Sequence, residues 1–215
     1  LKPQPELSAW PLHYWPREAT LEHYRDLIAR TSFAGSLGNS LIIAVGASVL
    51  GLGVSIPAAY AFSRFRFPGR RGLLTGFLVI NMFPVVLLII PLFLMMRRLG
   101  LIDTYLGVIL GHSTFSIPFA IWMLTSYFNA IPKDLDEAAM IDGASRLQTI
   151  RLIILPLLMP GVVTAGIYIF ITSWNEYLFA MMLSGQAVPT VTVALQLFIG
   201  EFTIHKEFVS SKVSG

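Results

Sequence analysis

Long apolar runs separated by short polar ones organise the chain. Four stretches, 41–63, 72–96, 105–132 and 152–175, contain no Asp, Glu, Lys or Arg. Each exceeds the roughly 20 residues that a helix rising about 1.5 Å per residue needs to cross about 30 Å of hydrocarbon. They predict four membrane-spanning helices. The fourth is expected to begin near Pro160 and to continue through Glu176 to about Leu183, because 152–156 belongs to a loop motif. A fifth apolar run, 188–200, is too short for a simple span. Residues 1–38 mix charge, proline and aromatics and are expected outside the bilayer. Within them Thr20 would cap a short interfacial helix, with Glu22 in its first turn and Leu21, Tyr24 and Ile28 on one face.

The spans carry Pro57, Pro84, Pro91 and Pro118 together with Gly46, Gly51 and Gly53. Proline removes a helix hydrogen bond and kinks the chain, which membrane helices tolerate when neighbours satisfy the freed carbonyl. Kinked helices suit a bundle enclosing a cavity, although both residues are also commoner in membrane helices than in soluble ones.

The polar segment 129–159 reads as two short helices. Pro132 fits a first turn, Asp134 and Asp136 favour the positive N-terminal end, and Gly143 is placed to stop the helix in the left-handed region. Ser145 then caps a second helix with Gln148 in a capping box; Leu147, Ile150 and Ile154 form its apolar stripe and Pro156 ends it. The first of these helices offers the small Ala138 and Ala139 beside the carboxylates Asp136, Glu137 and Asp142. Small residues and exposed acids on a helix beyond the membrane suit docking in a partner's groove.

Composition agrees with the pattern. The chain is 55% hydrophobic and 13% charged, against about 25% charged in soluble domains. A net charge of +3, spread over short loops, does not point to nucleic acid. Without cysteine there is neither a disulfide framework nor a thiolate metal site. Arg64, Arg66, Arg70 and Arg71 crowd one loop around Phe67-Pro68-Gly69, which favours a cytoplasmic position. Summed over all loops, Lys and Arg divide almost evenly between the two sides, so charge alone leaves the orientation open.

Enzyme chemistry finds little support. There is no Gly-x-x-x-x-Gly-Lys phosphate loop, so the chain is not expected to hydrolyse ATP itself, and Gly51-Leu52-Gly53 lacks the third glycine and the strand of a dinucleotide site. His112-Ser113 has no nearby carboxylate in sequence, and no His-Glu-x-x-His zinc motif occurs. Asn81 and His112 lie inside spans, where interhelical hydrogen bonding is expected of them. Glu176 has two readings. It faces a translocation path beside Trp174 and Asn175, whose ring and amide suit sugar hydroxyls, or it reaches the interface at the outer end of its span.

The run Glu137-Ala138-Ala139, three residues, Gly143, nine residues, Ile153, one residue, Leu155-Pro156 resembles without departure the signature loop of binding-protein-dependent ABC importer permeases. Leu1-Lys2-Pro3, Phe67-Pro68-Gly69, Asn81-Met82-Phe83-Pro84, Ile131-Pro132 and Trp174-Asn175-Glu176-Tyr177 are similar to the sugar-transporting branch, above all to the second permease of maltose-, trehalose- and glycerol-phosphate-type importers. The resemblance implies an all-α, polytopic transmembrane helical bundle of the ABC importer permease type in the cell inner membrane. It implies an extracytoplasmic segment 1–38, a transmembrane domain 39–183 with a cytoplasmic coupling loop 129–159, and an extracytoplasmic or truncated tail 184–215. Members usually have six spans, so the first and last are expected to be missing here.

By the same resemblance the loop inserts a coupling helix into an ATPase subunit, with Glu137 among the contacts, Ala138, Ala139 and Asp142 on the same element and Gly143 making the turn. Partners would be a second permease, an ATPase dimer, an extracytoplasmic solute-binding protein and membrane lipid. This chain would bind no cofactor; ATP and Mg would sit on the ATPase. The path candidates are Asn81, Trp174, Asn175 and Glu176. An ion-driven secondary transporter is the rival reading, but it calls for charged residues deep in paired, broken helices, and Glu176 is the one carboxylate near a span.

Overall fold

The computed structural model describes residues 33–197; the helix expected from Thr20, the rest of 1–32 and the tail from 198 lie outside the described residues. The elements are α1 (Phe33–Arg64), α2 (Arg70–Met82), a 3-10 turn (Val85–Leu88), α3 (Ile89–Arg98), α4 (Tyr105–Ala130), α5 (Asp134–Ile141), α6 (Arg146–Gln148), a π-helical stretch (Thr149–Ile154), α7 (Leu155–Asn175) and α8 (Leu178–Leu183). Residues 191–197 are again helical, and no strand occurs among the described residues.

The three long helices α1, α4 and α7 pack pairwise on one another, with α2 against α4 and α8 against α3 and α4. Their contact faces are made of small residues. Helix α1 buries Ser36, Ser40, Ala44, Ala47, Gly51, Ser55 and Ala59 at intervals of three or four, and α7 buries Gly161, Ala165, Ile169 and Ser173 at intervals of four. Between helices in lipid there is no hydrophobic driving force, so association depends on close packing that small side chains permit. A Cβ on Gly51 would stand 2.8 Å from Cδ1 of Ile169, and one on Gly161 would stand 2.7 Å from the Tyr127 ring. Larger apolar side chains, among them Val45 and Val49 of α1 and Val163, Ile167 and Ile171 of α7, point outward.

Two bulky clusters close the ends. One gathers Tyr60, Leu124, Phe128, Ile154 and Leu158, near α5; the other gathers Ile43, Leu92, Met96, Val108, Phe179, Leu183 and Val188 at the opposite end.

Two expected spans differ from the sequence reading. The stretch 72–96 is not one helix but two, bent by 99° at a break. Proline disfavours the α region for the residue before it, and Phe83 is extended with ψ 137. Pro84 brings no N–H to continue the ladder; its carbonyl instead accepts from Leu87 N at 3.1 Å, starting the 3-10 turn. The fourth span begins earlier and ends earlier than expected. Helical residues run from Arg146 to Asn175, because the wider π turn Thr149–Ile154 lies just ahead of Pro156 and accommodates its ring and missing N–H within the helix. Glu176 is extended with ψ 126 and separates α7 from α8.

Candidate functional site

The segment between α4 and α7 folds as its local signals predict. Gly143 follows α5 at φ 86, the left-handed position that glycine occupies at no steric cost. The capping box is made in both directions: Ser145 Oγ accepts from Gln148 N at 3.4 Å and Gln148 Oε1 accepts from Ser145 N at 2.8 Å. Ile154 is buried and Ile150 partly so, but Leu147 is 74% exposed and does not join the expected stripe.

Helix α5 has distinct inner and outer faces. Asp136, expected as an exposed acid, is buried, and so is Ala139 three positions on. Their small or short side chains bring α5 against its own bundle. Glu137, Ala138, Asp142 and Gly143 face outward, and so do Met140 and Ile141, the last 85% exposed. Outward α5 thus presents apolar groups interleaved with carboxylates, and Glu137 and Asp142 form no ion pair among the described residues.

Asp136 is the fixing point of the inner face. Its Oδ1 accepts from the Tyr60 hydroxyl at 3.2 Å, and its Oδ2 faces Nε of Arg64 across 2.9 Å, an ion pair bent away from hydrogen-bond alignment. The same guanidinium donates to the carbonyls of Phe128 and Ile131 at 3.2 Å each, and beside it Ser63 Oγ donates to Asn129 Oδ1 at 2.8 Å. Arg64 therefore joins the last residue of α1 to the end of α4 and to α5. Nothing local in the sequence marks this pair, since 72 positions separate its members.

A second group of buried polar side chains lies toward the opposite end. His112 makes the expected interhelical bond: its Nδ1 is 2.8 Å from Ser173 Oγ, linking α4 to α7. Its Nε2 lies 3.4 Å from Glu176 Oε2. That carboxylate oxygen also accepts from Phe179 N and Ala180 N at 2.9 and 3.0 Å, so Glu176 holds the first turn of α8 in place after the break. Asn81 does not bond across helices; its amide donates to Phe77 O of its own helix at 2.9 Å, and the exposed Asn175 does the same to Ile171 O. Trp174 stacks on Phe170 with centroids 5.8 Å apart. Trp174, Asn175 and Glu176 are contiguous, whereas no hydrogen bond or ring contact joins Asn81 to them.

Beyond that end, Asp103 fastens two loops. Its backbone takes φ 59, uncommon for a residue other than glycine, and its carboxylate accepts from Gly185 N at 2.7 Å and from Ala187 N and Val188 N at 3.2 Å. Burial would raise this carboxyl, but the backbone N–H groups of 185–188 outweigh it and hold the pKa below the usual carboxylate range. Asn39 Nδ2 donates to Pro189 O at 3.0 Å, and Val191 N donates to Ser40 Oγ at 2.8 Å, tying the start of α1 to the same loop. Sequence reasoning passed over Asp103, whose partners lie more than 80 positions away.

Three apolar helices long enough to cross a membrane, a broken fourth pair and a helical loop at one end define a polytopic membrane protein, and the described residues hold no cluster able to bind a metal. Residues 51–203 match the family of binding-protein-dependent transport system inner membrane components, and the chain belongs to that family. It is 36% identical to the sulfoquinovosyl glycerol transport system permease protein of Agrobacterium fabrum, over 98% of this chain and 74% of that protein. To the trehalose transport system permease protein of Mycobacterium tuberculosis it is 41% identical, over 86% of this chain and 68% of the relative. Among solved structures it resembles a bacterial ABC transporter involved in the import of the acidic polysaccharide alginate, with a TM-score of 0.76 and 29% identity over 93% of this chain and 70% of that one. The chain is thus a permease subunit of an ABC importer, a multi-pass inner-membrane component that carries out transport with other ABC components. An ion-driven secondary transporter is not favoured.

Proposed function

We propose that this subunit passes a sugar or related solute and that α5, with the turn at Gly143, is the element docked by an ATPase. The observation that carries the docking reading is the outer face of α5, where Met140 and Ile141 stand exposed beside Glu137 and Asp142, which form no ion pair among the described residues. An apolar side chain that is 85% exposed on a short helix beyond the spans has a partner's groove as its natural destination. The solute class rests on the substrates for which the relatives are named, sulfoquinovosyl glycerol and trehalose, and on that of the alginate importer. In this reading 64–71 and 129–159 face the cytoplasm, while 1–38, 97–103 and the loop after α8 face outward. A second, homologous permease and lipid cover the apolar outer faces of α1 and α7, two ATPases hold ATP and Mg, and an external binding protein delivers the solute; this chain holds no cofactor. Ala138 and Asp142 lie on the docking face and Ala139 on the permease side of the same helix. Trp174 and Asn175 are the stronger path candidates, because the Glu176 carboxylate is already engaged by α8 and His112.

Glu137→Lys tests this directly. Its possible local partner, Lys133, is four positions earlier, and such a pair contributes only about 0.2–0.5 kcal/mol. Removing one partner of a buried charge-assisted contact in a groove costs about 2–5 kcal/mol. The variant should therefore reach the membrane at the normal level and lose the ATPase on purification. Full retention of the ATPase would refute the docking role of this face.

A further inference from the structure

The outer face of α5 explains how a partner binds but not how its motion reaches the membrane helices. An eight-residue helix lying on a bundle through Ala139 and aliphatic neighbours can slide, because dispersion contacts have little directional preference. One charged connection resists sliding. Asp136 on α5 meets Arg64 at the end of α1, with side chains only 6% and 8% exposed, so water cannot readily substitute for either partner. Arg64 at the same time grips the carbonyls of Phe128 and Ile131 at the end of α4. Tyr60, one turn back on α1, takes the other oxygen of Asp136 and packs edge-on against Phe128, their centroids 5.8 Å apart. Three elements therefore converge on one guanidinium.

We propose that Arg64 and Asp136 are the positioning residues through which displacement of α5 is delivered to the ends of α1 and α4 together. This rests on the docking reading of α5 above, but it concerns the opposite face of that helix. Glu137 recruits the motor; the buried pair passes the movement on. Ile150 and Ile153, packed on the cluster around Tyr60 and Phe128, keep the second half of the loop in register, and Arg146 lies over the Phe65 ring, 5.1 Å from its centroid, but no ion pair joins that half to the bundle among the described residues.

The test uses the assembled importer with cysteine-free partners, taking advantage of the absence of native cysteine in this chain. A single reporter cysteine is placed on α1 or α4, at a site such as the exposed Val49 or Thr114 where ATP with vanadate changes the rate of maleimide labelling in the parent complex. Asp136→Asn should leave the amount of bound ATPase and its basal hydrolysis unchanged while reducing that ATP-dependent change on the order of tenfold, a usual size for coupling between sites. Arg64→Gln should act alike, and the double variant should be no worse than either single one, as for two residues acting as a unit. Tyr60→Phe keeps the ring and removes one hydrogen bond, so it should lower the response severalfold less and carries the test if Asp136→Asn fails to assemble. An undiminished ATP response in Asp136→Asn, or in Tyr60→Phe where Asp136→Asn does not assemble, or effects that multiply in the double variant, would each overturn the proposal. Retention of the ATPase by Glu137→Lys would instead overturn the docking reading, and the two failures are read from different variants.

Discussion

Both ends of the bundle are tied by a carboxylate, yet in opposite ways. At the α5 end, Asp136 is buried and answered by side chains, Arg64 and Tyr60, which belong to another helix. At the far end, Asp103 lies near water and is answered by backbone N–H groups of a loop. A side-chain pair fixes one orientation between two rigid helices, because it is directional and its members cannot exchange partners for water. A cradle of backbone donors shapes a loop but makes no demand on the helices behind it. The first arrangement suits a place where force crosses between elements, the second a place where two loops have only to stay closed.

The contrast is broken most severely at Arg64. Removing it by Arg64→Ala leaves Asp136 buried opposite nothing but a tyrosine hydroxyl, and breaking a buried pair in this way costs about 3–5 kcal/mol. It also frees the carbonyls of Phe128 and Ile131. The purified variant should unfold at a clearly lower temperature than Asp136→Asn, in which an amide still offers an oxygen and Arg64 keeps both carbonyls. Equal melting temperatures for the two would show that the guanidinium is not the centre of this end.

A smaller effect is expected at Asp103. Asp103→Ala should cost about 1.5 kcal/mol, the low end for hydrogen bonds to a charged group, since water can reach the donors that are released. Proteolysis or hydrogen exchange should then increase at 185–188 while the helices near α5 keep their protection. Loosening that spread to α5 would mean that the two ends are not independent.

What the sequence made legible follows from range. Gly143 and the Ser145–Gln148 box act within three residues of themselves, and their geometry was readable from spacing alone. The spans were readable because bilayer thickness sets a length. The break at Phe83-Pro84 was only half legible: Pro84 was a kink candidate, yet Pro57, Pro118 and Pro160 stand inside unbroken helices, and the outcome depends on whether the preceding residue becomes extended. Pro156 was misread as a stop because a proline is carried inside a continuous helix where a wider π turn precedes it. The burial of Asp136 was not legible at all. Its face is decided by an arginine 72 positions earlier, and an acid among alanines on a polar loop looks solvent-exposed until that partner is placed.

The mildest way to sharpen the comparison is acid. The folded pKa of Asp103 lies below its ordinary value of 3.8, so the native state favours the ionised form. A carboxylate with a depressed pKa adds stability that is fully present above the unfolded value and is lost as pH falls through the folded one. The cradle should hold undiminished at neutral and mildly acidic pH and weaken only as pH drops below 3.8. In that window the amides of Gly185, Ala187 and Val188, which donate to the carboxylate, should lose protection before those of α1 and α4. Amide exchange has its own pH dependence, so protection factors, not raw rates, must be compared across the titration. Asp103→Asn supplies the control: its side-chain oxygen still accepts, but it cannot titrate, and the acid-dependent step at 185–188 should vanish. Persistence of the step in Asp103→Asn would assign it to another carboxylate and leave the loop closed by backbone geometry alone.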